Sequence, residues 1–285
     1  MGESSSAVPV DGVAMTAIGV AVIRARESRR PDALYQDPLA QSFVDAAREG
    51  FSDQRWTSLK ELADQFYEGR SVAVRLVDDR VHDAVDSGIK QIVMLGAGLD
   101  TRAFRMELPS DVSVFEIDLP ELIAFKEPVL ANRAAAPTCR RQVIAADLRG
   151  DWATPLRESG FRSDSPTLWV DEGALAYLPP GPRRDVVADL TRLSAPGSRF
   201  GVSRYSVDAN SAPYTGLASL VGGSASGQAP QETVRDVREW LDSLGWNTEF
   251  QSWNEAVTRL NRAVTQADSE VGHIAAVLRP RAHSA

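Results

Sequence analysis

The sequence predicts an α/β fold built on a mainly parallel sheet. Two observations carry that prediction. From residue 91 onward, short apolar runs alternate with amphipathic helical stretches, the pattern of strands joined by crossover helices. The runs also end in glycine or in an acid: Gly96 and Gly98 after the first, Asp118 after the second, Asp147 after the third, Asp171 and Glu172 after the fourth. In such sheets a ligand sits beyond the carboxyl ends of the strands, at the point where the strand order reverses. Function is therefore expected at Gly96, Gly98, Asp118, Asp147 and Glu172.

Taken in order, residues 1–12 are small and Ser-rich and read as a disordered tail, followed by a single domain over 13–285. Residues 13–26 and 39–48 read as helices, separated by turns at Arg30-Pro31-Asp32 and Asp37-Pro38. Residues 59–87 hold one or two amphipathic helices, with Val72, Val74, Leu76 and Val77 among the apolar positions. Together these make a helical cap over 13–88. The core over 89–280 follows, with strands at 91–95, 112–117, 142–146, 167–170 and 199–203 and helices at 121–132 and 183–193. Residues 205–231 are rich in Gly, Ser and Ala and lack periodicity; they read equally as a mobile lid or a long surface insertion. A helix at 233–243, with Thr233 or a neighbour as its N-cap, precedes two closing strands at 245–250 and 272–278.

Composition narrows the function classes. The 285 residues are 43% hydrophobic and 25% charged, enough for one large core. A net charge of -8 argues against a nucleic-acid partner, since phosphate binding needs a basic face. The single cysteine, Cys139, excludes an intrachain disulfide and a cysteine zinc site, and it fits a reducing cytoplasm. No His/Asp/Glu cluster has ligand spacing, so no metal is expected. The apolar stretch 12–23 is too short to span a bilayer. Its basic residues Arg24, Arg26, Arg29 and Arg30 follow it, the wrong order for a signal peptide. No membrane partner is expected.

The motifs gain weight together. Val93-Met94-Leu95-Gly96-Ala97-Gly98-Leu99-Asp100 is an apolar run opening into glycines, where a ligand can approach the backbone closely; alone it is also any tight strand-to-helix turn. Asp118 lies twenty residues beyond Gly98, placed to accept from both ribose hydroxyls of a nucleoside. A dinucleotide site would want a third small residue at the helix start, where this chain has Thr101. A nucleoside without a pyrophosphate, such as S-adenosylmethionine, does not need that approach. In Ala145-Ala146-Asp147-Leu148 the acid reads either as an acceptor for an adenine amino group, with Leu148 as an apolar wall, or as a helix N-cap. Asp171 and Glu172 together suggest a cationic partner, either a ligand ammonium or a structural arginine, because buried unpaired acids are costly.

Across these stretches the chain resembles the leucine carboxyl methyltransferase family, and within it the actinobacterial branch of S-adenosylmethionine-dependent methyltransferases. The resemblance runs from Ala14 to the end and is strongest in Glu27-Ser28-Arg29-Arg30-Pro31-Asp32-Ala33-Leu34 and in 94–105, 114–126, 146–152 and 172–180. It implies a Rossmann-like class I methyltransferase fold: a seven-stranded, mostly parallel sheet with helices on both faces, a closing antiparallel strand and the helical N-terminal cap. It implies that Asp118 with Leu119, and Asp147 with Leu148, bind S-adenosyl-L-methionine. Gly96, Ala97 and Gly98 would line the methionine side and Glu172 its amino end. Arg70, in Glu68-Gly69-Arg70-Ser71, resembles an arginine that clamps the methionine carboxylate, with Arg75 as its neighbouring alternative. Arg24 resembles a basic residue that closes over the cofactor. The chain departs from the branch at Arg75-Leu76-Val77-Asp78-Asp79, where an Arg-Phe-Phe-Asp-Asp run is usual after the arginine.

The expected partner is a small-molecule or natural-product acceptor, and the expected product S-adenosyl-L-homocysteine. None of the histidines, His82, His273 and His283, adjoins a motif, so a carboxylate acceptor that needs no general base is favoured over a hydroxyl or a nitrogen. Tyr177 and Tyr205 are candidates for orienting it. Two other classes are weighed: an NAD(P)-dependent oxidoreductase, disfavoured by Thr101 and by the lack of a Tyr-x-x-x-Lys pair, and a non-catalytic cofactor-binding module.

Overall fold

The computed structural model describes residues 8, 9, 12, 14–204 and 232–280. Most of the expected tail, the whole segment 205–231 and Tyr205 lie outside the described residues. Seven strands form one sheet in the order β3-β2-β1-β4-β5-β7-β6. They are β1 (Gln91–Leu95), β2 (Ser113–Asp118), β3 (Arg140–Ala145), β4 (Thr167–Asp171), β5 (Arg199–Arg204), β6 (Trp246–Ser252) and β7 (Gly272–Leu278). Strands β1 to β5 pair in parallel, whereas β7 runs antiparallel between β5 and β6. The strand order reverses between β1 and β4.

The central strands are buried on both faces, which is why they read as unbroken apolar runs. Alternate residues of β1 enter different cores. Val93 and Leu95 join Phe115, Trp169, Phe200 and Trp246 on one face. Helices α6 (Ala153–Glu158), α7 (Pro180–Arg192) and α8 (Val234–Ser243) cover that face through Leu156, Val186, Leu190 and Leu241. Ile92 and Met94 join Val114 and Val170 on the other, under Val77, Val81 and Ala84 of α3 (Asp53–Asp86) and Ala103 of α4 (Arg102–Arg105). The exposed alternation of β3 marks it as an edge strand, and it starts two residues before the apolar run that announces it.

The helical stretch around 59–87 is one helix of 34 residues, begun by the Ser52 side chain accepting from the Arg55 amide. At 1.5 Å per residue it spans about 50 Å, long enough to serve two layers. Its first turns place Trp56 and Leu59 against α1 (Ala14–Glu27), α2 (Ala40–Arg48) and α5 (Pro120–Asn132). Its last turns cover the sheet. The same cluster takes in Leu99 of the glycine turn, so the N-terminal helices sit over the carboxyl end of β1. Thr233 caps α8 in a reciprocal box with Asp236. A second box, Ser252 with Glu255, opens the short α9 (Trp253–Val257), which the apolar pattern does not reveal.

One buried ionic cluster ties β2 to its neighbours. Glu116 accepts from Lys126 Nζ at 2.7 Å and from Arg141 Nε and Nη2 at 3.0 and 2.7 Å. Both partners of the carboxylate are nearly sequestered from water. Removing one member of such a cluster strands the other charges in a poor dielectric. Glu116→Gln is expected to cost about 3–5 kcal/mol of unfolding free energy, read from urea denaturation at neutral pH.

Candidate active site

The turn after β1 decides what can approach the sheet edge. Gly96 and Gly98 hold φ of +63° and +53°, the left-handed region that favours glycine. A Cβ on Gly96 would lie 2.3 Å from Cβ of Ala174, in the segment after β4. The two strand ends flanking the reversal therefore meet at a glycine. The Gly98 amide donates to Asp118 Oδ2 at 2.5 Å, and the Leu119 amide donates to Oδ1 at 2.7 Å. These bonds fix the carboxylate at the end of β2. Burial raises the Asp118 pKa, against the lowering effect of those amides.

Behind the turn lies an arginine that the sequence reading passed over. Arg102 Nε donates to Asp78 Oδ1 at 2.7 Å, Nη1 to Asp100 Oδ2 at 2.5 Å and to Glu172 Oε1, and Nη2 to the Val74 carbonyl at 3.2 Å. Arg105 holds both oxygens of Asp78 at 2.7 Å. Burial alone would raise the Asp100 carboxyl, but the charges of Arg102 and Arg105 outweigh it and hold the group down at about 2. The group of Asp78, Asp100, Glu172, Arg102 and Arg105 carries one negative charge in excess.

Of the two acids after β4, Asp171 turns inward and accepts from the Gly173 and Leu175 amides, each at 3.1 Å. Burial pushes its carboxyl up to about 6 despite those bonds. Glu172 faces the cavity, and its carbonyl accepts from Arg70 Nη1 at 3.0 Å. The cation that meets the Glu172 carboxylate in this structure is the structural arginine, Arg102.

Asp100, Arg102, Arg105 and Glu172, but not Asp78 or Asp171, border a cavity of about 320 Å³, within the range of small-molecule sites. Arg24, Arg70, Gly96, Ala97, Gly98, Asp118, Leu119, Asp147, Leu148, Glu172 and Tyr177 all line it. Arg24 does so as a strut rather than a free cation. Its guanidinium donates to Asp37 Oδ2 at 2.8 Å and to the Leu99 carbonyl at 2.6 Å. Thr101, at the position where a dinucleotide site wants a small residue, is buried and donates to the same Asp37 oxygen at 2.7 Å. Asp147 is not a helix cap, because α6 starts at Ala153 behind Trp152. It accepts instead from the Arg149 amide at 2.8 Å and pairs with the Arg149 side chain. Arg75 is not brought to the cavity; it reaches Asp79 at 2.8 Å and the Leu34 carbonyl at 3.0 Å. The residues missed from sequence are Asp100, Arg102 and Arg105, with Thr16, Ala17 and Val20 of α1. A charged Asp-x-Arg set directly behind a buried glycine turn was the available signal for the first two.

The leucine carboxyl methyltransferase profile matches residues 17–191. The chain belongs to the leucine carboxyl methyltransferase family. A relative from Parafrankia sp. is 37% identical over 89% of this chain and 83% of its own length. Another from Streptomyces coelicolor is 37% identical over 95% and 98%. Both are named as S-adenosyl-L-methionine-dependent methyltransferases. Among solved structures, one titled as a methyltransferase from Thermobifida fusca YX superposes with a TM-score of 0.55 at 20% identity, over 98% of this chain and 97% of that one. The CurJ carbon methyltransferase superposes with a TM-score of 0.51 at 12% identity, over 93% and 69%. At those identities the likeness concerns the fold: a class I methyltransferase sheet with one strand reversed next to its edge. Among the described residues no helix is long and apolar enough to cross a membrane.

Two measurements test this family member's site. Gly96→Ala would force a Cβ against Ala174 and distort the turn that forms the cavity floor. Titration calorimetry is expected to show S-adenosylhomocysteine affinity reduced at least tenfold, about 1.4 kcal/mol, with the chain still folded. Asp171 holds its proton more tightly in the fold than in the unfolded chain. It therefore favours the fold below its ordinary value of 3.8 and opposes it as pH rises through about 6. Between pH ~4 and ~7, Asp171→Asn should lose less stability than the wild type, by about 3 kcal/mol at ~1.4 per unit. Urea midpoints across that range read the difference.

Proposed function

We propose that the chain transfers the methyl group of S-adenosyl-L-methionine to a carboxylate of a small molecule, forming a methyl ester. The class of the reaction rests on family membership; the acceptor is read from the cavity. The carrying observation is that the cavity's described lining contains no histidine, lysine or cysteine, and its acids are already engaged. Asp100 and Glu172 hold Arg102, Asp118 holds two backbone amides, and Asp147 holds Arg149. Among the described lining residues no histidine, lysine, cysteine or unengaged acid stands ready to take a proton. An ionised carboxylate needs none near neutral pH, whereas a hydroxyl would.

The residues fit the cofactor. The glycine turn lets a ligand lie against the backbone, Arg70 offers a cation, and the Arg102 group offers a surplus negative charge. Asp118 would hold the ribose hydroxyls, with Leu119 beside it. Asp147 would meet the adenine amino group, with Leu148 as an apolar wall. Gly96, Ala97 and Gly98 would follow the methionine chain, Arg70 its carboxylate and Glu172 its ammonium. Arg24 would act by holding Leu99 in place. Bound there, the cofactor supplies an electrophilic methyl on a sulfonium. The chain's own part is to align the acceptor with that methyl and exclude water, an effect of about 7–11 kcal/mol in well-aligned systems. Val20, Leu122, Tyr177 and Leu178 give the cavity an apolar side suited to that task.

The test uses S-adenosylmethionine labelled in the methyl group, with separate panels of carboxylic acids, phenols, alcohols and amines. Label that returns as volatile methanol after mild alkali, from the carboxylic acids alone, is the expected result. Alkali-stable label on a phenol, alcohol or amine would replace the ester reading with ether or amine formation. Asp118→Ala should weaken S-adenosylmethionine binding at least tenfold; unchanged affinity would remove Asp118 from the site.

A further inference from the structure

A second cavity of about 580 Å³ lies on the α3 side of the sheet, between the C-terminal half of α3 and strands β4, β5 and β7. Val170 borders both cavities, but no residue of the glycine turn lines the second. Its walls are largely apolar, with Ile89, Leu168 and Phe200 among them.

Two arginines reach into it, Arg80 from α3 and Arg199 from β5. Both are half-buried, and among the described residues neither has a hydrogen bond, ion pair or ring contact. Every other described arginine buried to that degree or more has a partner, such as Asp37 for Arg24 or Glu27 for Arg262. The arginines that lack one elsewhere are exposed. Two acids, Asp83 and Asp171, also line the cleft, but neither pairs with Arg80 or Arg199, and Asp171 accepts from the Gly173 and Leu175 amides instead. A guanidinium carries five donors in a fork suited to carboxylate or phosphate oxygens.

The end of the cleft is built to hold an imidazole. His273 of β7 lies over Gly201, where any Cβ would fall 2.3 Å from the ring. Its Nδ1 is 3.1 Å from Ser203 Oγ. Burial, and then the nearby charge of Arg80, depress the His273 pKa, so the ring is neutral at neutral pH and the cations of the cleft are the two arginines. Arg80 and His273 line the same cleft.

We infer that this cleft is a second binding site, for a small molecule with an oxyanion head and an apolar body, its head held by Arg80 and Arg199 beside His273. Carboxylate and phosphate share that head chemistry, and the test separates them.

The test is a proton NMR titration of the full chain with inorganic phosphate and, separately, hexanoate, each at millimolar concentrations. His273 is one of three histidines, and its ring signals report on the cleft. A saturable shift of those signals with at least one probe is expected. Arg80→Gln and Arg199→Gln should each weaken that binding about tenfold or more, ~1.4 kcal/mol. Lysine at either position should retain part of it. Calorimetric affinity for S-adenosylhomocysteine should change less than twofold in all variants, which separates this site from the methyl-transfer reading. Absence of a shift with both probes, a shift that survives the double glutamine substitution, or competition by S-adenosylhomocysteine would overturn the assignment.

Discussion

The guanidinium of Arg102 is the contact on which the geometry of the main cavity depends. It joins three chain segments that are distant in sequence: Asp78 and Val74 of α3, Asp100 of the glycine turn and Glu172 at the end of β4. Each acid alone would be costly to bury; Arg102, with Arg105 on Asp78, offsets all but one of their charges. The consequence is positional. The turn after β1 and the end of β4 are the two lips of the crevice at the reversal in strand order, and Arg102 fixes both against the long helix behind them.

A second constraint acts from the front. Gly96 brings the β1 turn against Ala174, and Gly98 and Leu119 aim their amides at Asp118. The Asp118 carboxylate is thus held in one orientation by backbone amides alone. The N-terminal helices contribute by Arg24, whose buried guanidinium pairs with Asp37 and donates to the Leu99 carbonyl, tying α1 to the glycine turn. The helical cap is therefore part of the site as well as a cover for it, consistent with Thr16, Ala17 and Val20 among its walls.

The sheet is unequal on its two sides. Three helices cover one face along β4, β5 and β7, while on the other face α3 covers β1 and β4 and leaves a cleft over β5 and β7. Ala275 and Val277 of β7 are exposed there. Arg80, Arg199 and His273 belong to that side, and nothing about their sequence neighbourhoods announces it.

The sequence by itself determined the alternation of strands and helices, the glycine turn and the acids at the strand ends, because a strand buried on both faces must be an apolar run and a ligand turn must relax its side chains. It also marked the N-cap of α8 at or beside Thr233, whereas the Ser252–Glu255 box went unread. Only the tertiary structure decided the partners. That Glu172 meets Arg102, that Asp171 turns inward, that Arg75 leaves the site and Arg24 serves as a strut all depend on which distant segments meet. Hydrogen-bond partners 70 or more residues apart, such as Arg102 with Glu172 or Arg24 with Leu99, have no local signature. Charges in a buried setting pair by proximity in space, and spacing along the chain does not encode that proximity.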